Sequence, residues 1–367
     1  MATARFFARE KSYEIYSPAD YSVPIKLSVG EYDNRLPSAV CEAITDYYQN
    51  HIIDGCLNYP SDHSSTSREL LKQIRIFNQL PETQEALLTA GSTESLRLIF
   101  DTFLEEGDAV LFPIPSYSNA LNLVKLRTHN IATPSCLSFS EFRQLIDTKY
   151  YKLVYLSLPN NPTGYRFTNE EMESLARAYP ATLFVIDGCY LEYDANFPRY
   201  TSSQANIITV RTFSKAFGLA GLRIGYLYSH RKTTKLLNIL RDPHLPTELA
   251  KHAACTALQN LDSYRETWWD LRTTRKWLIG ELQKTGVSTD SNAKGMFVMA
   301  KLHACDNTTL ANYLKEQHGI LIKPLKGEVF GLDNDSYIRI GMAQRDKLQQ
   351  LLDAIREYLT GNIAATH

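Results

Sequence analysis

The chain of 367 residues has the composition of an ordinary globular protein, with 44% hydrophobic and 22% charged residues. Its 39 basic and 40 acidic residues give a formal net charge of −1, which argues against a general attraction for nucleic acids or anionic membranes. The six cysteines show neither a CxxC pair nor zinc-ligand spacing, and no apolar run approaches the roughly 18 residues of a spanning helix. We therefore expect a cytoplasmic protein with reduced thiols, two domains and no metal.

The first two thirds of the chain alternate between helical and strand patterns. Residues 66–80 are amphipathic at helical spacing, residues 85–91 form a short apolar strand that ends in glycine, and residues 92–108 return to helical spacing. The same alternation continues through AVLFPIP, NALNLVKL, KLVYLSL, EEMESLARAY and ATLFVID. Short apolar strands separated by helices predict an α/β fold, with a large domain whose mainly parallel sheet is covered by helices.

The pattern changes after LRIGYLYS at residues 222–229. A long helical stretch at about 246–285 is followed by the strand patterns GMFVMAKL, GILIKPL and SYIRIGMA, with helices near 308–318 and 346–359. This order predicts a smaller C-terminal α/β domain. We place the N-terminal arm and part of the small domain at residues 1–45, the large domain at 46–250 and the small domain at 251–367.

Polar residues directly after the predicted strands are candidates for a ligand site, because ligands of such sheets bind beyond the carboxyl ends of the strands. Ser92 and Thr93 begin a helix, where hydroxyls and free N–H groups suit a phosphate. Tyr117 could cover a flat ring, and Asn161 in PNNPTG could present its amide to a ligand oxygen. Asp187 ends a buried strand and therefore needs a cation or a strong donor.

Lys215 lies among small and apolar residues in VRTFSKAFGLAGLRIGYLYS, residues 210–229. A lysine in apolar surroundings has a lowered pKa and can form a Schiff base at neutral pH. The hydroxyls of Thr212 and Ser214 and the guanidinium of Arg223 would bind a phosphate. A phosphate, a flat ring, a ring nitrogen, a phenolic oxygen and an aldehyde together describe pyridoxal 5'-phosphate.

The segments NNPTG and SKAFGLAGLRIGY resemble the fold-type I pyridoxal-phosphate aminotransferases of class I/II, most closely the histidinol-phosphate aminotransferase group. The resemblance extends from KLSVGEYDN to the final helix, and it implies an aspartate-aminotransferase-like fold whose large domain, residues 46–250, binds pyridoxal 5'-phosphate. It implies that Lys215 is the Schiff-base lysine and proton shuttle and that Asp187 pairs with the pyridine nitrogen. It also implies that Asn161 and Tyr190 hold the ring hydroxyl oxygen, with Tyr190 counted as catalytic, and that Tyr117 stacks on the ring.

The same resemblance implies a phosphate site, a substrate site and a homodimer with shared active sites. The residues expected to hold the phosphate are Ser92, Thr93, Ser214 and Arg223, with Thr212 as a helper and Tyr59 in LNYPSD reaching across from the neighbouring subunit. Arg339 in YIRIGMA would bind the substrate carboxylate, and Lys323 replaces a family arginine that grips the substrate phosphate. The expected partners are a small amino donor and a keto-acid acceptor, with neither nucleic acid nor membrane.

Several positions depart from the family pattern and concern the substrate. Gly188 and Cys189 replace an acid and an alanine, and Met296 replaces an asparagine. Lys323 keeps a positive charge but loses the planar grip of arginine, and His244 in RDPHLPTEL lies where an aromatic residue is frequent. An aminotransferase for an amino acid or amino-alcohol phosphate is expected, but these changes leave histidinol phosphate itself open.

Other functions remain as alternatives at this point. The same scaffold supports an amino-acid decarboxylase, an oxidase, or a specialised aminotransferase of a biosynthetic pathway. A binding relative without catalysis is disfavoured by the presence of Lys215, Asp187 and Arg223. A nucleotide-binding dehydrogenase is disfavoured because the sequence contains neither a GxGxxG turn nor a GxxxxGK[ST] loop.

Overall fold

The structure is a computed structural model that describes residues 22–31, 34–136, 138–303 and 305–364. The strands are β1 Ile25–Lys26, β2 Gln84–Thr89, β3 Val110–Leu111, β4 Ile131–Ala132, β5 Leu153–Ser157, β6 Leu183–Asp187, β7 Ile207–Thr212, β8 Gly225–His230, β9 Ser288–Thr289, β10 Phe297–Lys301, β11 Ile320–Leu321, β12 Lys323–Leu325 and β13 Tyr337–Gly341. The helices are α1 Ser38–Asn50, α2 Ile52–Leu57, α3 Ser65–Asn78, α4 Ser92–Phe103, α5 Ser118–Lys125, α6 Phe139–Ile146, α7 Asn169–Ala178, α8 Arg231–Leu240, α9 Glu248–Gln259, α10 Leu261–Lys284, α11 Asn307–His318, α12 Gly327–Phe330 and α13 Arg345–Ala364.

A seven-stranded sheet with the strand order β2-β8-β7-β6-β5-β3-β4 forms the centre of the fold. Strand β8 is antiparallel to both of its neighbours, and the other neighbouring pairs are parallel. All five residues of β5 are buried, as expected for a strand with helices on both faces. The predicted α/β class with a mainly parallel sheet is confirmed.

The C-terminal part contains a four-stranded antiparallel sheet with the order β12-β13-β10-β9. The N-terminal segment joins this part of the chain, because β1 pairs in parallel with β11. The helical stretch predicted at 246–285 consists of two helices, α9 and α10. They are separated at Asn260, whose side-chain amide donates to the carbonyl of Thr256 at 2.8 Å and so uses an acceptor that the ending helix leaves free.

The predicted domain boundary after residue 250 falls within α9. Helix α9 packs through Ala250 and Ala254 into the same apolar cluster as Leu70 and Ile74 of α3. The division of the chain into domains therefore stays a prediction. None of the described helices is long and apolar enough to cross a membrane.

The parallel strands bring the segments of interest to one edge of the large sheet. In the strand register Ser157 lies beside Asp187, which in turn lies beside Val210. The carboxyl ends of β5, β6 and β7 therefore lie at one edge of the sheet, and the loops that follow these strands lie together there. An apolar cluster under this edge includes Phe213, Phe217, Tyr190, Met296 and Phe297 and so joins the two sheets.

Candidate active site

Lys215 lies in the loop that follows β7, and its amine points at the N-terminal segment. The Nζ atom donates a hydrogen bond to the carbonyl of Gly30 at 2.8 Å. Burial lowers the pKa of the Lys215 amine below its ordinary value, and the positive charges of Arg339 and Arg223 act in the same direction. A larger fraction of this amine is therefore neutral, and hence nucleophilic, than of a lysine on the surface.

Gly30 marks the point where three side chains of the site meet. An atom at its Cβ position would lie 3.2 Å from Met296 Sδ, 3.4 Å from Lys215 Nζ and 3.5 Å from the Tyr190 hydroxyl. The Tyr190 ring packs edge-on against Phe297, with 5.0 Å between ring centroids. Burial raises the pKa of Tyr190, so its hydroxyl stays neutral and can donate a hydrogen bond.

Asp187 is the last residue of β6 and is only 5% exposed. The Tyr155 hydroxyl donates to its Oδ2 at 2.8 Å, and the Cys189 backbone N–H donates to its Oδ1 at 3.3 Å. Burial raises the pKa of Asp187, while the bonds from Cys189 and Tyr155 oppose that shift. Two hydrogen-bond donors therefore stabilise the ionised form of this carboxyl group, whose burial would otherwise be unfavourable.

The Tyr155 contact was not predicted from the sequence. The Tyr155 ring stacks on Phe112, with 4.5 Å between centroids and 7° between planes, and is completely buried. In the sequence it is one aromatic residue in an apolar strand, which is typical of core packing. The signal that could have identified it is a hydroxyl within a fully buried strand, because such a group needs a hydrogen-bond partner.

Ser92 and Thr93 are the first two residues of α4, where backbone N–H groups have no partner inside the helix. They follow Gly91, whose φ of 93° and ψ of 169° belong to a region that glycine alone adopts readily. An atom at the Gly91 Cβ position would lie 3.1 Å from Arg223 Nη2. The Arg223 guanidinium thus faces the start of the helix, an arrangement that suits a phosphate.

Two further residues predicted at the phosphate lie in the loop before Lys215. Thr212 and Ser214 are both buried. The Ser214 backbone N–H donates to Thr212 Oγ1 at 3.1 Å. The Thr212 hydroxyl therefore shapes the loop that carries Ser214 and Lys215.

Asn161 and Arg339 come together from the two sheets. Arg339 Nη1 donates to Asn161 Oδ1 at 2.8 Å, and Nη2 donates to the carbonyl of Ser28. The guanidinium also lies 5.7 Å from the centre of the Phe297 ring. Arg339, which is predicted to bind the substrate carboxylate, is thus hydrogen-bonded to Asn161, which is predicted to bind the cofactor.

The remaining predicted residues lie around this centre or on the surface. Tyr117 precedes α5, and its hydroxyl accepts a hydrogen bond from the Asn119 amide at 3.4 Å. Lys323 pairs with Arg339 across β12 and β13, and its Nζ lies 5.7 Å from the centre of the Phe330 ring. Tyr59 is 81% exposed.

The Tyr59 ring lies 4.5 Å from the His244 ring, measured between ring centroids. In this chain Tyr59 is therefore a surface residue and not part of the group around Lys215. His244 also lies on the surface, where its Nδ1 is 3.4 Å from the carbonyl of Pro60. The two residues are neighbours, which their separation in the sequence does not reveal.

The donor set fits pyridoxal phosphate. A lysine with a lowered pKa, a supported carboxylate and an arginine that faces a helix N-terminus all lie at the carboxyl edge of one sheet. In the described residues there is no group of three or more His, Cys, Asp or Glu side chains that could hold a metal ion.

Comparison with known proteins identifies the family of the chain. Residues 22–355 match the family described as aminotransferase class I and II. The histidinol-phosphate aminotransferase of Geotalea daltonii is 32% identical over 279 residues, which cover 74% of this chain and 76% of the relative. The dihydroxyacetone phosphate transaminase of Campylobacter jejuni is 28% identical over 327 residues, 86% of each chain.

A solved structure shows the same fold. The histidinol-phosphate aminotransferase of Sinorhizobium meliloti, crystallised in complex with pyridoxal 5'-phosphate, superimposes with a TM-score of 0.81 at 22% identity and covers 92% of both chains. The expected family, enzyme class and cofactor are confirmed by these matches. The chain therefore belongs to the class I and II aminotransferases, as an enzyme of fold type I that depends on pyridoxal 5'-phosphate.

Proposed function

We propose that this chain transfers the amino group of an amino acid or amino-alcohol phosphate to a keto acid, through a Schiff base at Lys215. The observation that carries the proposal is the position of the Lys215 amine. The pKa of this amine is lowered, and the amine donates a hydrogen bond to the carbonyl of Gly30. The Tyr190 hydroxyl lies beside the same glycine. An amine in this state can act first as a nucleophile and then as a general base.

Pyridoxal phosphate supplies, when bound, an electron sink for the negative charge that develops at the substrate Cα. Asp187 would accept a hydrogen bond from the protonated ring nitrogen, and Tyr155 helps to keep the Asp187 carboxylate ionised. Lys215 Nζ would take the proton from the substrate Cα and deliver it to a carbon atom of the cofactor. Tyr190 and Asn161 would hold the ring oxygen, and Tyr117 would cover the ring.

The phosphate of the cofactor would bind at the start of α4. The free N–H groups of this helix carry a partial positive charge, to which the Arg223 guanidinium adds a full one. The hydroxyls of Ser92, Thr93 and Ser214 supply further donors. Thr212 would act indirectly, since its hydroxyl accepts the N–H of Ser214.

Arg339 and Lys323 support a substrate that carries more than one negative charge or a phosphate. The two residues are directly opposite each other on neighbouring strands, and side chains in such pairs lie about 5 Å apart at Cβ. Arg339 would bind a carboxylate, or another anion when the donor has none. The names of the two relatives above also contain phosphate compounds, which agrees with a phosphorylated substrate.

We further propose a cytoplasmic homodimer in which Tyr59 completes the phosphate site of the partner. Tyr48, Ile53, Leu57 and Tyr59 are between 69% and 81% exposed and lie within one short stretch of the chain. Such a concentration of exposed apolar residues favours an interface. All six cysteines are free thiols, as is typical of a reducing compartment.

The decisive experiment combines chemical trapping with a substrate panel. The purified protein is loaded with pyridoxal phosphate, reduced with borohydride, digested and examined by mass spectrometry for the labelled lysine. The label should be on Lys215, absent in Lys215→Ala and retained in Lys152→Ala, which changes a partly exposed lysine near Asp108. A label on a different lysine would contradict the assignment.

The substrate panel comprises histidinol phosphate, O-phosphoserine, glutamate, an aromatic amino acid and arginine. We expect a phosphorylated donor to have the highest kcat/KM. Lys323→Met should lower that value by about tenfold or more, because a hydrogen bond to a charged group contributes roughly 1.5–3 kcal/mol. Release of carbon dioxide or uptake of oxygen, without a keto product, would indicate a decarboxylase or an oxidase instead.

A further inference from the structure

A cavity of about 340 Å³ lies between the end of α3, the turn at residues 191–193 and the first half of α10. None of its described lining residues is among those predicted to hold the cofactor or the substrate. The apolar part of its wall includes the rings of Phe77, Phe197 and Trp268 and the side chain of Leu261. Its volume is within the range of pockets that bind small molecules.

Three arginines line this cavity, and two of them, Arg199 and Arg272, form no ion pair with a carboxylate among the described residues, whereas Arg265 pairs with Asp262. Arg199 donates through Nε to the carbonyl of Phe77 at 3.4 Å, and its guanidinium lies 4.9 Å from the centre of the Phe197 ring. Arg272 donates through Nη1 to the carbonyl of Glu192 at 3.4 Å. Both guanidinium groups therefore keep donors and a full positive charge next to an apolar wall.

The two acids of the cavity form their ion pairs with arginines outside its lining, and Asp194 acts on Arg272 only from beyond ion-pair distance. Glu192 is ion-paired with Arg211, and both side chains are essentially inaccessible. Asp194 is ion-paired with Arg166 and is likewise buried. The arginines therefore leave a positive charge at the cavity, and Arg199 and Arg272 supply the guanidinium groups that have no ion pair.

We propose that this cavity is a second ligand site, for a small molecule with one aromatic ring and one carboxylate. The rings of Phe77, Phe197 and Trp268 favour a flat apolar ligand. A carboxylate matches the planar donors of arginine and would supply the negative charge that the cavity lacks. This site lies outside the transamination chemistry and does not depend on it.

The cavity also provides its own spectroscopic probe. Trp268 is 6% exposed, and its indole N–H donates to the carbonyl of Ala216, which follows Lys215 in the chain, at 2.8 Å. A ring that enters the cavity would contact the Trp268 indole and change its fluorescence. Trp268→Phe removes this signal and keeps an aromatic wall.

Binding is tested with 3-phenylpropionate on the holoenzyme, by isothermal titration calorimetry and by tryptophan fluorescence. The uncharged 3-phenylpropanamide is the matched control ligand. We expect saturable binding of the acid and at least about tenfold weaker binding of the amide, because the amide lacks the charge that pairs with arginine. No saturable binding of the acid, or equal binding of acid and amide, would overturn the proposal.

Variants separate this site from the predicted substrate site. Arg272→Leu and Arg199→Leu should each weaken binding of the acid by at least about tenfold, and Arg339→Leu should leave it unchanged. Thermal unfolding of each variant shows whether it is folded before the titration. Loss of binding in Arg339→Leu, with retention in both other variants, would place the acid at the predicted substrate site and refute the second site.

Discussion

Gly91→Ala tests the phosphate site by a change that adds one carbon atom. The φ of 93° and ψ of 169° at Gly91 lie in a region that costs a residue with a side chain about 1–3 kcal/mol. The new Cβ would also lie 3.1 Å from Arg223 Nη2, which is closer than ordinary van der Waals contact. The guanidinium must therefore shift by a few tenths of an ångström away from the start of α4, enough to lengthen a hydrogen bond to a phosphate bound there.

The expected loss of cofactor affinity follows from that displacement. A hydrogen bond from a charged group contributes roughly 1.5–3 kcal/mol, so loss of the Arg223 contact should weaken binding of pyridoxal phosphate about 10- to 150-fold. The measurement is a titration of the apoprotein with pyridoxal phosphate, followed by absorbance. The unfolding free energy of the apoprotein should fall as well, by about 1–3 kcal/mol from the backbone alone.

Gly107→Ala is the matched control for backbone strain. Gly107 has a φ of 91°, close to that of Gly91, but no atom lies within 4 Å of its Cβ position. The control should lose stability and keep its cofactor affinity. If Gly91→Ala binds pyridoxal phosphate as tightly as Gly107→Ala does, Arg223 does not hold the phosphate and the assignment is wrong.

Three further predictions concern buried charges. Arg211→Met should lower the unfolding free energy by about 3–5 kcal/mol, because it leaves Glu192 unpaired in the interior, and the additional change Glu192→Leu should restore most of that loss. Denaturant unfolding measures both variants, and an Arg211→Met variant as stable as the wild type would contradict this expectation. Tyr155→Phe removes a hydrogen-bond donor from Asp187 and therefore raises the pKa of that carboxyl further. We expect kcat to fall about tenfold and the acid limb of the pH–rate profile to move to higher pH, and an acid limb that does not move would exclude Asp187 as the titrating group. Because burial lowers the pKa of Lys215, this lysine should react with an amine reagent in the apoprotein at a lower pH than the exposed lysines do, which peptide mass spectrometry can measure; equal reaction at all lysines would count against a lowered pKa.

The fold and the centre of the site were predictable because their signals are local. A strand such as Leu153–Ser157, buried along its whole length, appears as a continuous apolar run. Parallel neighbours end at one edge, so the loops with Asn161, Asp187 and Lys215 were expected to lie together. The break at Asn260 was missed because both flanking segments keep a helical pattern through it.

Contacts with the N-terminal segment could not be predicted in the same way. Gly30 accepts the hydrogen bond of Lys215 from 185 positions away, and Ser28 accepts that of Arg339 from 311 positions away. Both acceptors are backbone carbonyls, which every residue has, so the side chains at these positions carry no signal. The pairing of β1 with β11, together with the hydrogen bond from the Gly341 N–H to the carbonyl of Leu27, places this segment beside the site.

The bonds of Arg339 connect three separate parts of the chain. Its guanidinium, carried by β13, donates to Asn161 after β5 and to Ser28 in the N-terminal segment. A substrate carboxylate that binds both ends of this guanidinium must therefore share or replace those two bonds. Because Ser28 is two residues from Gly30, whose carbonyl accepts the Lys215 hydrogen bond, a change at Arg339 reaches the Lys215 amine through the backbone between them. The position of the N-terminal segment thus depends on Arg339 and Lys215 together, which links the predicted substrate site to the predicted catalytic residue.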